Sequence, residues 1–262
     1  MKVIITDYVD YSLLDLLDKS NIEYLYLPKQ TEQYILDRIP EFNGLIVRNR
    51  LAINPLFLDK CKNLQFIARY GSGMESIDIK SANSLGIQCF NSAEGNCNAV
   101  SEHALGMLLA LFHRINKSME ELKGGVWDRE GNKGNEITGK NIGIIGYGNT
   151  GKAFCEKLKG FNCNVYCYDK YKTKYGTSYI KERNMDSIFS NCDIISLHIP
   201  INNSTKNIIN YDFIQKMKKP FYIINTSRGG IVNTRDLITG IKNKKILGAC
   251  LDVIEYESTG FI

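Results

Sequence analysis

The most constraining feature of this chain is a glycine-rich turn, Gly146-Tyr147-Gly148-Asn149-Thr150-Gly151, set straight after the apolar run Asn141-Ile142-Gly143-Ile144-Ile145. A short apolar run ended by glycine reads as a buried β-strand, and the residues after Gly151 read as a helix. In such a strand–turn–helix, the first glycine permits the tight turn. The second lets the backbone approach phosphates, and the third lets helix and strand pack closely. Gly146, Gly148, Asn149, Thr150 and Gly151 are therefore candidates to cradle the pyrophosphate of a dinucleotide. The turn lies past the middle of the chain, so another folded unit is expected before it.

On its own, G-x-G-x-x-G is a weak signal. Here a second strand, Val165–Asp169, follows and ends in an acid eighteen residues beyond Gly151. An acid at that place accepts hydrogen bonds from the adenosine ribose hydroxyls and repels a 2′-phosphate, which points to NAD over NADP. Lys170 and Lys172 soften that preference without reversing it. The competing reading, a turn-forming glycine cluster with an ordinary surface aspartate, explains the agreement of strand, turn, helix and acid less well.

The rest of the chain alternates strand and helix on both sides of this motif. Before it, strands are expected at Val3–Thr6, Ile22–Leu27, Gly44–Arg48, Leu64–Arg69 and Ile87–Phe90. Helices are expected from Ser12 as a cap, over Thr31–Ile39, Pro55–Cys61 and Met74–Leu85. After it, strands are expected at Asn164–Tyr168, Asp193–Leu197, Phe221–Asn225 and Ile246–Leu251, with helices near Asp186–Asn191, Tyr211–Met217 and Thr234–Asn243. Repeated β-α units imply parallel sheets covered on both faces. The fold class is α/β with two doubly wound domains, residues 1–95 and 96–262. Residues 101–118 read as one long helix, apolar nearly all round and hence buried.

Bulk properties narrow the functions available. The 262 residues carry a net charge of +5 with the lysines scattered, so nothing points to nucleic acid or a membrane surface. The longest apolar stretch, Ala104–Phe112, is too short to span a bilayer, and the N-terminus reads as a strand and not as a signal peptide. Eight cysteines without C-x-x-C spacing suggest no metal site and fit a reduced, cytoplasmic setting.

A second constellation follows a buried strand: Asn225-Thr226-Ser227-Arg228-Gly229-Gly230. Downstream stands Leu251-Asp252-Val253-Ile254-Glu255-Tyr256-Glu257. With the glycine turn, Arg69-Tyr70-Gly71-Ser72-Gly73, Asn96–Glu102 and Leu197-His198-Ile199-Pro200, these segments resemble the D-2-hydroxyacid dehydrogenases across essentially the whole chain. Within that family the chain is most similar to short 3-phosphoglycerate dehydrogenases that lack a regulatory domain. The resemblance implies a flavodoxin-like substrate domain and a Rossmann NAD-binding domain. It implies hydride transfer between NAD and a D-2-hydroxy acid, here 3-phosphoglycerate in serine biosynthesis, and a homodimer formed through the nucleotide domain.

Carried over by position, Arg228 binds the substrate's carboxylate and carbonyl oxygen. A guanidinium suits this because its planar fork pairs a carboxylate bidentately and stays charged. Gly71, Ser72 and Gly73 offer N–H groups to the same carboxylate, and Asn96 is a further substrate contact. Arg48 or Arg50 binds a substrate phosphate, although strand-end arginines are as often merely solvated. Asp252 faces the nicotinamide carboxamide, and Thr226, His198 and Pro200 border the cofactor. Glu257 matches the acid that raises the pKa of an acid–base histidine.

That histidine is expected a few tens of residues beyond Glu257, in a stretch that would also hold the nucleotide domain's last strand. The sequence ends at Ile262, and the nucleotide domain is expected to be incomplete. His103 and His113 lie on the long helix, where packing accounts for them, and His198 is no substitute. Losing such a group costs on the order of 10²–10⁴-fold in rate, so binding of NAD is expected to outlast turnover. The alternatives are a non-catalytic NAD(H)-binding protein of corepressor type, and lactate or glycerate as substrate. Ser258 also departs from the family, which usually has proline there.

Overall fold

All eleven strands among the described residues pair in parallel, and they form two sheets. The structure is a computed structural model that describes residues 1–257. It divides into a unit of residues Met1–Asn96 and a second that begins at Cys97. Ser258 and the expected C-terminal gap in the nucleotide domain lie outside the described residues.

The first unit runs β1 (Lys2–Ile5), α1 (Tyr11–Lys19), β2 (Glu23–Tyr26), α2 (Glu32–Leu36), β3 (Gly44–Val47), α3 (Pro55–Leu58), β4 (Phe66–Arg69), α4 (Ile79–Ser84) and β5 (Gln88–Asn91). The sheet order is β2-β1-β3-β4-β5, the flavodoxin-like doubly wound order. Side chains alternate across the sheet. Val3 and Ile5 enter one apolar cluster with Leu14 and Leu17 of α1, while Ile4 enters the other with Leu45 and Val47.

The second unit takes in most of α5 (Ala93–Phe112), then α6 (Ile115–Lys123), β6 (Asn141–Ile145), α7 (Asn149–Leu158), β7 (Asn164–Tyr168), β8 (Ile180–Glu182) and α8 (Met185–Asn191). It continues with β9 (Ile194–Leu197), α9 (Tyr211–Lys216), β10 (Phe221–Asn225), α10 (Thr234–Lys242) and β11 (Ile246–Leu251). The order β11-β10-β9-β6-β7-β8 is the Rossmann arrangement, with its switch point between β6 and β9. Ile142, Ile144 and Ile194 fill one face, and Ile145, Ile195 and Leu197 the other.

Four local expectations change. Asp10, not Ser12, caps α1, its carboxylate accepting the Ser12 N–H at 2.9 Å. The helix expected from Met74 begins only at Ile79, where Asp78 accepts the Ser81 N–H at 3.0 Å. The long helix of residues 101–118 is two helices: α5 starts earlier and stops at Phe112, and Arg114 adopts a left-handed conformation (φ 51°) before α6. Only one stripe of α5 is fully buried, Ser101, Ala104, Leu108 and Phe112, while Leu105, Met107, Leu109 and Leu111 pack half-buried against the same cluster. The three-residue edge strand β8 is too short to show a period in the sequence.

Candidate functional site

The glycine turn sits at the switch point of the second unit. Gly146 has φ +98°, and a Cβ there would lie 2.3 Å from the carbonyl oxygen of His198, the residue that follows β9. A Cβ at Gly151 would lie 2.1 Å from the Gly146 carbonyl oxygen. The protein's own backbone therefore dictates both glycines. A Cβ at Gly148 would meet nothing within 4 Å. The space beside Gly148 is what a phosphate needs, so the turn fits a dinucleotide. Gly148 also stands at the N-cap of α7 without a side-chain cap, so the helix presents its amide end and positive dipole there.

Asp169 follows β7 directly and belongs to the turn. Its Oδ2 accepts the Tyr147 N–H at 2.8 Å, and its Oδ1 accepts the Tyr171 and Lys172 N–H groups at 2.8 and 3.0 Å. Partial burial raises its pKa, but those three N–H groups and the Lys172 charge outweigh it, and the carboxyl stays below the usual carboxylate range. Gly146, Gly148, Asp169, His198 and Pro200 all line one cavity of about 370 Å³. Five of the residues picked out as cofactor contacts are thus brought together. A recess of about 530 Å³ beside Leu111, Tyr222 and Leu247 holds none of them.

His198 is buried, with Nε2 2.8 Å from the Ser196 hydroxyl and its ring 5.4 Å from that of Phe154. Burial lowers its pKa to about 4, so it is neutral at pH 7. Its Nδ1 has no hydrogen-bond partner among the described residues, and neither does the buried hydroxyl of Thr226. Polar atoms orphaned beside a site are the kind that a ligand satisfies.

Arg228 stands on a turn that the sequence specifies closely. Asn225, the buried last residue of β10, accepts the Ser227 N–H at 3.1 Å and donates to the Arg228 carbonyl at 3.0 Å. The Ser227 hydroxyl donates to the Leu197 carbonyl at 2.6 Å, and the Arg228 Nη1 to the Ser227 carbonyl at 2.7 Å. A Cβ at Gly229 would lie 1.8 Å from the Ile254 carbonyl oxygen, so glycine is what lets the two motif segments pack together. Asp252 follows β11, its N–H donating to the Asn225 carbonyl at 3.0 Å. Glu255 accepts the Thr234 N–H at the start of α10 (2.8 Å), whereas among the described residues the Glu257 carboxylate accepts a long 3.3 Å bond from the Ile254 N–H.

One partner escaped the sequence reading. His103 Nε2 lies 3.2 Å from Asp252 Oδ1, with both side chains about half exposed (55% and 46%). The residue before His103 on the helix is Glu102. Both find charged partners, Glu102 pairing with Lys157 at 2.8 Å.

In the first unit, taken by itself, Arg48 is exposed, and its backbone N–H donates to Asp7 at 2.9 Å. Arg50 is tied down instead: its guanidinium donates to the carbonyls of Gln30 and Thr6. Gly71 (φ +146°) has its N–H directed to the Ser92 hydroxyl and the Arg69 carbonyl, both at 2.9 Å. Of the N–H groups expected for a substrate carboxylate, those of Ser72 and Gly73 remain as candidates. The Asn96 Oδ1 is buried with no hydrogen-bond partner among the described residues. Among those residues no three His, Cys, Asp or Glu side chains gather into a metal site, and no helix is long and apolar enough to cross a membrane.

Comparison with known proteins agrees with this geometry. Residues 105–260 match the family model for the NAD-binding domain of D-isomer-specific 2-hydroxyacid dehydrogenases. A hydroxypyruvate reductase of Thermotoga maritima is 36% identical over 221 residues, which cover 84% of this chain and 71% of that protein. A D-3-phosphoglycerate dehydrogenase of Synechocystis is 33% identical over 261 residues, 99% of this chain and 47% of that one. The chain thus spans about half the length of the phosphoglycerate dehydrogenases it matches. The apo-structure of a D-lactate dehydrogenase from Escherichia coli superposes with a TM-score of 0.81 at 26% identity, covering 99% of this chain and 84% of that one.

Proposed function

The chain belongs to the D-isomer-specific 2-hydroxyacid dehydrogenases, and from that membership we propose that it is an NAD-dependent oxidoreductase acting on 3-phosphoglycerate. The observation that carries the redox reading is the glycine turn, where packing demands Gly146 and Gly151 while Gly148 faces open space beside Asp169. Bound there, NAD supplies the hydride acceptor. Asn149 and Thr150 open α7 within that cradle. Arg228 holds the substrate's carboxylate and carbonyl oxygen, with Ser72, Gly73 and Asn96 as further contacts. Asp252, steadied by His103, takes the carboxamide, and Glu257 stands where the resemblance puts the acid that supports an acid–base imidazole.

The phosphate reading rests on Arg48, since the Arg50 guanidinium already serves two carbonyls. That same observation favours a second substrate, glycerate with its oxidised partner hydroxypyruvate, which carries no phosphate. Consumption of NADH with phosphohydroxypyruvate and with hydroxypyruvate separates the two. Arg228→Ala should lower kcat/KM for both by about 100-fold or more, the loss of a charge-assisted pair in a transition state. Arg48→Ala should raise KM about tenfold for the phosphorylated substrate alone. Equal KM changes for both would exclude the phosphate role, and saturable NADH binding with no turnover of any 2-oxo acid would favour the non-catalytic NAD(H)-binding reading.

The same reading makes the protein a cytoplasmic homodimer, in keeping with eight free thiols and with exposed Ile115, Met119, Leu122 and Trp127 on and after α6. A monomer mass in solution would contradict the dimer.

A further inference from the structure

Tyr147 is the residue between the first two glycines, and the segment after β7 holds it at three points. Its N–H donates to Asp169 at 2.8 Å. Its carbonyl accepts from the Lys172 ammonium, also at 2.8 Å. Its buried ring stacks on that of Tyr175, with centroids 4.7 Å apart and planes inclined by 23°. Tyr175 is itself fixed, its hydroxyl donating to the Cys167 carbonyl at 3.0 Å and its N–H to the Glu182 carboxylate at 3.2 Å.

The two backbone bonds act on different peptide planes. The Tyr147 N–H belongs to the plane shared with Gly146, whereas the Tyr147 carbonyl belongs to the plane whose N–H is that of Gly148. A trans peptide is rigid and points its C=O and N–H in opposite directions. Lys172 therefore fixes where the Gly148 N–H points. Glycine-flanked backbone is otherwise the freest in a chain, and ordering it on binding weakens affinity.

We propose that Lys172 is a positioning residue for the dinucleotide, holding the Tyr147 carbonyl so that the Gly148 N–H meets the pyrophosphate, with Tyr175 as its support. The inference rests on the NAD reading of the turn.

The test is the affinity of the full chain for NADH, ADP-ribose and adenosine, in Lys172→Met, Lys172→Arg and Lys174→Met. Lys172→Met should bind NADH and ADP-ribose about 10- to 150-fold more weakly, the range for one hydrogen bond from a charged donor. Adenosine, which has no phosphate, should change less than about twofold, and the melting temperature should not move. Lys172→Arg, which keeps a donor, should recover most of the loss. Lys174→Met removes the same charge two residues further on, from exposed surface that does not line the cofactor cavity, and should bind all three ligands normally. Unchanged NADH affinity in Lys172→Met, a parallel loss of adenosine, or an equal loss in Lys174→Met would overturn the proposal. Failure of the wild-type chain to bind NADH or ADP-ribose would overturn the dinucleotide reading beneath it.

Discussion

Gly146 and Gly151 are glycines because backbone oxygens stand 2.3 and 2.1 Å from where their Cβ atoms would be, while Gly148 has nothing within 4 Å. The three look alike in sequence, yet two answer to the protein's packing and one to its ligand. Gly151→Ala should therefore cost about 3 kcal/mol or more of stability, since backbone cannot yield as a side chain can. Gly148→Ala should leave stability within about 1 kcal/mol and weaken NADH binding about tenfold or more. Urea unfolding and a ligand titration on each variant check this, and equal behaviour of the two would contradict it. Legibility at this scale follows chemistry. Asp169 was readable because its place after a strand is fixed by the motif. The His103–Asp252 contact was not, because it joins residues far apart in the chain and no local pattern encodes it.

Strands were the most legible elements, since β-branched runs such as Asn141–Ile145 and Phe221–Asn225 are buried on both faces and bounded by turns. Helix ends were less so. The break between α5 and α6 falls on Arg114, whose left-handed backbone would ordinarily be announced by glycine or asparagine. Two acids of one motif also serve different elements. Glu255 accepts the Thr234 N–H at the N-terminus of α10, where a negative charge is also favoured by the helix dipole. Among the described residues Glu257 supports no helix end. Glu255→Gln should then destabilise by about 1 kcal/mol, while Glu257→Gln should stay within about 0.5 kcal/mol and act on turnover instead. Chemical denaturation of the pair decides it. A larger loss from the Glu257 change would reverse the assignment.

At the scale of the molecule, one chain builds two doubly wound sheets of different strand order, and the doubly wound class of each was implied by the alternation of strand and helix plus the family resemblance. The orders themselves, β2-β1-β3-β4-β5 and β11-β10-β9-β6-β7-β8, depend on long-range pairing that periodicity does not record. The reading of the second unit is carried by the place where its order reverses. There the glycine turn, Asp169 and His198 meet around one cavity. In the proposed reading, substrate choice falls to Arg48 and the Ser72 and Gly73 N–H groups of the first unit, with Arg48 alone receiving the phosphate. The central claim is that the turn binds NAD, and calorimetric titration with NADH and NADPH tests it most directly. One saturable NADH site per chain is expected, with NADPH bound at least about tenfold more weakly, a difference of about 1.4 kcal/mol set by Asp169. Absence of saturable NADH binding, or NADPH bound as tightly as NADH, would contradict it.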